Sequence, residues 1–306
     1  MTASSEGTSP TPPEGPMRRR SADTEQGQRR DRERPPLPEP LPHPVVDNHC
    51  HLDISDGDWL DTAEAIARAS EVGVRRIVQI GCDLPGAAWA VGAAQDHAPL
   101  VAGVALHPNE APRLAADGLL EEALAEIEQL AQAHDKVRAV GETGLDFYRT
   151  GPEGRDAQVE SFVRHLDLAK RLGKTLVIHD RDAHDAVLDV IDAEGPPERW
   201  VMHCFSGNPR FARACLDRGA YLSFAGTVTF KNAQPVRDAL GVTPRDRLLV
   251  ETDAPYLTPM PYRGRPNASY LVPVTVRAMA EARGDDLTTL CEAIDANTEM
   301  AFGGAW

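Results

Sequence analysis

The sequence is poor in cysteine and aromatic residues and has no long apolar run. None of its five cysteines forms a CxxC pair, which argues against a disulfide framework and favours a reducing, cytoplasmic location. No stretch is long and apolar enough to span a bilayer, and no apolar segment follows Arg18-Arg19-Arg20 as a secretory signal requires. With 5% aromatic residues, an extended base-stacking platform is not expected. We therefore expect no membrane contact, and nothing in the sequence indicates an obligate protein partner.

Charge divides the chain into two unlike parts. The formal net charge is −15 at pH 7, but residues 1–43 hold seven arginines against seven acidic residues, so the acidic excess belongs to residues 44–306. Residues 1–43 are rich in proline, arginine, serine and glutamate, which predicts a disordered leader whose removal changes neither stability nor rate. Residues 44–306 are expected to form one domain. Its acidic surface disfavours nonspecific binding of nucleic acid, so phosphate would have to be held locally by metals and a few placed cations.

Apolar runs of strand length alternate with helical patterns along residues 44–306. One amphipathic stretch, residues 58–73, ends at Gly73, a residue suited to terminating a helix. Such alternation predicts parallel βαβ units, and eight of them predict an α/β fold of the closed (β/α)8 TIM-barrel type. The predicted strands are Val45–His49, Arg75–Ile80, Leu100–Leu106, Val137–Gly141, Thr175–His179, Trp200–His203, Ala220–Phe224 and Arg247–Glu251.

Histidines and carboxylates follow several of these strands. The carboxyl ends of barrel strands meet at one rim, which is where barrel enzymes have their active sites. His49 and His51 point to the same side of the first strand because side chains alternate along a strand. Four imidazoles on one rim would crowd each other without a cation, so the pattern predicts a metal site. The candidate ligands are His49, His51, Glu142, His179, His203 and Asp253, and Glu251 lies at the same rim.

Six ligands favour a centre with two divalent ions. Imidazole and carboxylate without thiolate suit Mg²⁺, Mn²⁺ or Zn²⁺, and also iron or cobalt. Two ions bridged by one carboxylate use six ligands well, and Glu142 is the candidate bridge and catalytic carboxylate. Asp253 is the candidate general base for an attacking water, which makes hydrolysis the expected reaction. One ion would be held by His49, His51 and Asp253, and the other by His179 and His203.

The segments that carry these residues also carry a resemblance to a known family. They read HCHLD, GETGLDFY, IHDRD, HCFSG, SFAGTVTFKNA and ETDAPYLTPMPYRGRPN, in this order between Val45 and the C-terminus. The chain resembles the TatD-type metal-dependent deoxyribonucleases of the amidohydrolase superfamily. The resemblance implies a (β/α)8 barrel, the same six metal ligands, and Asp253 as base. It also implies a cytosolic enzyme that cleaves DNA phosphodiester bonds and trims single strands from the 3′ end.

Substrate contacts require donors beyond the metals, because the flanking phosphates must be held as well. Tyr148 and Tyr256 are candidates for stacking on bases. In the loop after the third strand, Asn109 stands where relatives often have a second histidine. The candidate substrate-binding residues are His107, Arg181, Ser206, Lys231, Arg263 and Arg265.

Other functions stay open at this point. A small-molecule amidohydrolase or lactonase would use the same barrel, but such relatives often bridge their metals with a carbamylated lysine where this chain has Glu142. The same centre could hydrolyse carboxylic esters, including aminoacyl-tRNA, since a fold does not determine a substrate. A binding module with a structural metal is the third alternative. Structural sites are closed and often contain cysteine, which this candidate site lacks.

Overall fold

Eight parallel strands form the centre of the fold and neighbour one another in chain order, which confirms the predicted barrel. The computed structural model describes residues 17–23, 29–57 and 59–306. Hydrogen-bonded parallel pairing runs without interruption from the first strand to the eighth. The strands are β1 (Val45–Cys50), β2 (Val74–Gly81), β3 (Leu100–Val104), β4 (Val137–Asp146), β5 (Thr175–Arg181), β6 (Trp200–Met202), β7 (Tyr221–Phe224) and β8 (Leu248–Val250).

The barrel is closed by contacts between β1 and the segment that follows β8. The backbone amide of Asp253 donates to the carbonyl of His49 at 2.9 Å, and that of His51 donates to the carbonyl of Ala254 at 2.7 Å. The Asn48 side chain adds a hydrogen bond to the carbonyl of Val250 at 2.6 Å. Closure therefore brings the histidine pair of β1 beside Asp253.

Helices cover the outside of the barrel. The first, α1, begins after Asp61, whose carboxylate caps the Glu64 amide at 2.8 Å, and Gly73 follows its end with a φ of +87°. None of the helices in the described ranges combines the length and apolar character needed to cross a bilayer. The helices are α1 (Thr62–Glu71), α2 (Leu84–Asp96), α3 (Ala111–Ala116), α4 (Leu120–Gln132), α5 (Pro152–Leu172), α6 (His184–Glu194), α7 (Pro209–Leu216), α8 (Gln234–Val242), α9 (Val272–Arg283) and α10 (Leu287–Ala301).

The interior of the barrel is packed with side chains and is not a pore. A separate buried apolar cluster takes at least one residue from every strand, and Phe302 joins it after α10. Since only inward-facing positions of all eight strands can meet, this cluster fills the barrel. Its strand members are Val46, Val78, Ile80, Val101, Ala139, Val177, Val201, Tyr221 and Leu249.

β4 is longer than the sequence predicts. It was expected to end at Gly141, but its pairing with β5 continues to Asp146, with a register irregularity between Val140 and Thr143. Polar residues are tolerated in this extension because it lies at the rim, where the histidines of neighbouring strands supply partners. Glu142 is therefore held within the strand rather than in the loop after it.

Part of the leader has a defined path over the barrel. We call residues 17–23 and 29–43 the N-terminal strap; residues 1–16 and 24–28 lie outside the described residues. The disorder predicted for residues 1–43 stays a prediction, and the described residues of the strap contact the barrel at several points. Leu41 is buried and its amide donates to the carbonyl of Val72 at 3.0 Å, while the carbonyl of Pro35 accepts a 2.7 Å hydrogen bond from the Tyr270 hydroxyl. Prolines hold the chain extended, so the strap docks without forming a helix or a long strand.

Candidate metal centre

Glu142 lies buried at the centre of a histidine cluster. Its Oε2 lies 3.4 Å from His49 Nε2 and 3.9 Å from His51 Nε2. Its Oε1 lies 2.7 Å from His179 Nδ1 and 3.3 Å from His203 Nε2. Each oxygen of this single carboxylate therefore faces a different pair of imidazoles.

Asp253 lies beside the first of these pairs. Its Oδ1 is 3.4 Å from His51 Nε2 and 3.9 Å from His49 Nε2. The residue has a φ of +53°, a left-handed conformation that costs a non-glycine residue energy and is often found at functional sites. The ligand atoms of His49, His51 and Asp253 all lie within 4.8 Å of one another, close enough to bind one ion.

The second half of the cluster contains one histidine more than the sequence analysis assigned. His107 Nε2 lies 3.5 Å from Glu142 Oε1, and its ring lies 4.7 Å from that of His179. Its position with Glu142 and His179 matches that of a possible metal ligand. The sequence predicted His107 as a substrate contact because it lies in the loop after the third strand, with two residues between it and the end of β3. The loop after β3 turns the side chain back towards Glu142.

Glu251 orients the His203 ring by contacting Nδ1, the ring nitrogen that does not face Glu142. This carboxylate is fully buried, and its Oε1 lies 2.8 Å from His203 Nδ1. It also accepts hydrogen bonds from the Ser223 hydroxyl at 2.5 Å and the Cys204 amide at 2.9 Å. A carboxylate behind a metal-binding imidazole fixes the orientation of its ring and strengthens the ligand. The sequence placed Glu251 at the rim, but only the structure pairs it with His203.

Asp146 has a similar position behind His179. Its Oδ2 lies 3.4 Å from His179 Nε2 and accepts a hydrogen bond from the Asn109 side chain at 3.2 Å. Its other oxygen accepts from the Arg149 amide at 2.8 Å. Asp146 was not among the predicted site residues, although its place four residues after Glu142 is a usable signal. Asn109 helps to hold Asp146 from the loop after β3.

The pKa shifts within the cluster favour ionised carboxylates beside positively charged groups. Burial alone would raise the pKa of Glu142, but the charges of His203 and His107 and hydrogen bonds from His107 and His179 hold it well below its usual range. Burial would lower the pKa of His179, but hydrogen bonds to Asp146 and Glu142 raise it to about 9. The carboxylates therefore stay ionised and attract positive charge, which protons or a divalent cation can supply.

The surroundings of His49 indicate whether the residues of the cluster fit a metal ion. Its ring is fully buried, and neither ring nitrogen has a hydrogen-bond partner among the described residues. It stacks on the His203 ring at a centroid distance of 3.6 Å, and burial followed by the charge of His203 lowers its pKa. A neutral buried imidazole whose nitrogens lack hydrogen-bond partners is costly, and a cation that binds its one free lone pair removes part of that cost. These residues therefore fit divalent metal.

Cys82, which follows β2, is a further neighbour that the sequence analysis did not place here. Its Sγ lies 3.5 Å from Glu142 Oε2 and 3.7 Å from His51 Nδ1. Burial raises the pKa of its thiol to about 12, so the sulfur is protonated at neutral pH. The His51 ring is oriented instead by the carbonyl of Ile80, 2.9 Å from Nδ1.

An open cavity of about 1340 Å³ lies above the cluster. Of the predicted substrate contacts, His107, Arg181 and Ser206 line it. Arg263 lines an adjoining cavity of about 520 Å³. Tyr256 lines both cavities.

Two predicted phosphate contacts lie elsewhere. Lys231 is exposed and lines neither of these cavities. Arg265 forms ion pairs with Asp31 at 3.1 Å and Glu33 at 2.8 Å, so it anchors the N-terminal strap. Tyr148 lies on the surface with its ring 3.8 Å from the Arg181 guanidinium.

Comparisons with known proteins agree on one family. The TatD-related DNase family matches residues 46–303. A Mycobacterium tuberculosis protein named uncharacterized metal-dependent hydrolase TatD is 44% identical over 267 residues, which are 86% of this chain and 99% of that protein. The Bacillus subtilis protein named uncharacterized metal-dependent hydrolase YabD is 37% identical and covers 84% of this chain, with 98% of its own length matched.

Solved structures show the same relationship. The crystal structure of the Escherichia coli TatD homologue YjjV superimposes with a TM-score of 0.77 at 26% identity, over 85% of this chain and 98% of that one. A TatD family hydrolase from Entamoeba histolytica shares the fold, with a TM-score of 0.73 at 18% identity over 87% of this chain and all of the other. The chain therefore belongs to the TatD-related DNase family and is an enzyme of the hydrolase class.

Proposed function

We propose that this protein uses two divalent ions to hydrolyse DNA phosphodiester bonds and removes nucleotides from the 3′ ends of single strands. The observation that carries the proposal is the position of Glu142, whose two carboxylate oxygens face separate sets of histidines. The name of the matching family supports DNA as the substrate. The relatives named metal-dependent hydrolases support the need for metal.

The ligand sets follow from the distances around Glu142 and Asp253. His49, His51 and Asp253 would hold one ion, and His179 and His203 would hold the other, with Glu142 shared between them. Bound divalent ions would activate water and stabilise negative charge on a phosphoryl oxygen. The ions are Mg²⁺, Mn²⁺ or Zn²⁺ by ligand type.

Asp253 is the proposed proton acceptor. Burial would raise its pKa, but the hydrogen bond from His51 and the charges of His203 and His51 lower it, so the carboxylate is ionised at neutral pH. It lines the main cavity, where an attacking water and a substrate would both be within reach. Glu142 would hold the ions in place rather than move a proton.

The surroundings of the site fit a phosphodiester better than the alternatives. Arginine side chains line the main cavity, including Arg181, while no lysine is among its described lining residues. Lys136, near the start of β4, binds the backbone carbonyls of Ala94 and His97 at 2.7 and 2.9 Å and is thereby held away from the rim. A carbamylated lysine bridge is thus not available to this site. All five cysteines are unpaired, which supports the cytoplasm as the location.

Digestion of a 5′-labelled single-stranded oligonucleotide tests the proposal. The purified protein is incubated with Mg²⁺ or Mn²⁺, with EDTA as one control and an Asp253→Asn variant as the other. A ladder of shortening products that EDTA and the variant abolish is expected. No cleavage by protein that carries metal would contradict the proposal and would make carboxylic esters, including aminoacyl-tRNA, the next substrates to test.

A further inference from the structure

The N-terminal strap runs along the rim of the active-site cavity, although the family match begins only at residue 46. Arg18–Arg19 forms a short parallel pair with Ile54–Ser55, a few residues after His51. The backbone amide of Arg20 continues this pairing with a 2.9 Å hydrogen bond to the carbonyl of Ser55. The strap therefore places side chains beside the active site, and these side chains lie outside the residues that the family match covers.

Side chains alternate in direction along the strap, so its three consecutive arginines do not all face the cavity. Arg18 and Arg20 are partly buried and line the main cavity, while Arg19 is exposed and does not line it. The Arg20 guanidinium donates to the carbonyl of Pro255 at 2.8 Å and to the Asp56 carboxylate at 3.2 Å. These contacts fix the position of Arg20 at the rim.

Arg20 lies where the main cavity meets the adjoining cavity of about 520 Å³, and it lines both. Arg30 also binds Asp56, so two guanidinium groups share one carboxylate and one positive charge is left over. The described residues that line the adjoining cavity include one acidic residue, Asp23. They include four arginines: Arg20, Arg30, Arg149 and Arg263.

Two of these arginines lie over aromatic rings. The guanidinium of Arg20 lies 4.7 Å from the Tyr256 ring centroid, and that of Arg263 lies 4.3 Å from the Phe230 ring centroid. A guanidinium group beside an aromatic ring suits both the phosphates and the bases of a single strand. The cation attracts phosphate, and flat groups stack on bases. The whole chain has a net charge of −15, so these arginines form a local positive region on an otherwise acidic protein.

We infer that the adjoining cavity, built partly from the N-terminal strap, binds the phosphates and bases of a single strand beyond the bond that is cleaved. The inference rests on the proposed function and adds to it a subsite that the strap supplies. Arg20 joins the subsite to the metal centre, because it lines both cavities. Short substrates would fill the main cavity alone, and longer strands would also reach the subsite.

The test compares Arg20→Gln and Arg263→Gln with Arg19→Gln, which makes the same charge change on the exposed side of the strap. We expect Arg20→Gln and Arg263→Gln each to raise KM for a ten-nucleotide strand by about tenfold, since a hydrogen bond to a charged group is lost. KM for a dinucleotide, which would fill the main cavity alone, should change less than about twofold in Arg263→Gln, because Arg263 lines only the adjoining cavity. Arg263 lies on the barrel, so its variant keeps the test valid if Arg20→Gln disturbs docking of the strap.

Binding without turnover separates failure of this inference from failure of the proposed function. Fluorescence anisotropy of a labelled ten-nucleotide strand is measured in EDTA over a salt series. Each of the two variants should lower the salt slope by about 0.7, the value for one lost phosphate contact on a single strand. If the unmodified protein cleaves DNA but both variants match Arg19→Gln, the inference fails alone. If the unmodified protein neither binds nor cleaves the strand, the proposed function and the inference fail together.

Discussion

At the scale of single residues, the centre depends on pairs in which a carboxylate orients an imidazole. Glu251 lies 2.8 Å behind His203, and Asp146 lies 3.4 Å behind His179. Burial would lower the pKa of His203, but the charges of Glu251 and Glu142 raise it well above its usual range. The rings are therefore held in position before any ligand binds, and the carboxylates behind them should influence metal affinity.

Asp253→Asn tests the proposed proton acceptor. The amide has the same shape but cannot accept a proton, so we expect kcat on single-stranded DNA to fall at least about 100-fold. Far-UV circular dichroism should be unchanged, which shows that the fold is retained. Turnover equal to that of the unmodified protein would remove Asp253 from the mechanism.

Glu251→Gln tests the orienting carboxylate. We expect metal affinity to fall by about 10- to 100-fold, because the His203 ring loses its charged partner. Isothermal titration with Mn²⁺ measures the change, and Glu153→Gln is the matched control because Glu153 is an exposed carboxylate at the cavity rim. Equal affinities for the two variants would show that Glu251 has no role in the centre.

At the scale of elements, the strands and their order could be predicted because apolar runs of strand length alternate with amphipathic helices. The convergence of His49, Glu142 and Asp253 follows from that order, since the carboxyl ends of parallel barrel strands meet. The positions of His107 and Cys82 could not be predicted, because they depend on how the loops after β3 and β2 turn. The ion pairs of Arg265 could not be predicted either, because its partners lie in a leader with no apolar pattern.

His165 links α5 to the end of β3. Its Nε2 accepts from the Leu106 amide at 3.1 Å, and its Nδ1 donates to the Ser161 carbonyl at 2.6 Å. Burial lowers its pKa to about 4 from a usual value of 6.5, so the native state favours the neutral ring. Protonation of the unfolded state therefore reduces stability as pH falls from about 6.5 to about 4.

Between pH 7 and pH 4.5 we expect this loss to be about 2 kcal/mol for His165 in the metal-bound protein. Urea denaturation at pH 7 and pH 4.5 measures it, with His165→Gln as the comparison because glutamine does not titrate. The variant should be less stable at pH 7 but should lose less stability between the two pH values. The same pH dependence in both proteins would exclude His165 as its source.

At the scale of the whole molecule, the N-terminal strap joins the barrel and one rim of the active-site cavity. Its charged residues pair with barrel residues, and Leu41 belongs to the main hydrophobic core. Composition predicted a passive leader because proline and arginine dominate it; within the strap Leu41 is buried, while Met17 and Leu37 are exposed. The strap would then contribute both to stability and to the subsite inferred above.

Removal of residues 1–43 tests the contribution of the strap to stability. Loss of the buried Leu41 and of the hydrogen bonds at Leu41 and Pro35 should lower the free energy of unfolding by about 3 kcal/mol. Denaturant unfolding measures this change. Removal of residues 1–16 is the control, because it leaves every contact named here in place. An unchanged unfolding midpoint after removal of residues 1–43 would agree with a passive leader.

Glu142 is proposed to hold two divalent ions between two sets of histidines. The most direct measurement is the metal-to-protein ratio, by elemental mass spectrometry, after saturation with Mn²⁺ and removal of free metal. We expect about two ions per chain in the unmodified protein and fewer than one in a folded Glu142→Ala variant. A ratio that Glu142→Ala leaves unchanged, or no bound metal in the unmodified protein, would contradict the account.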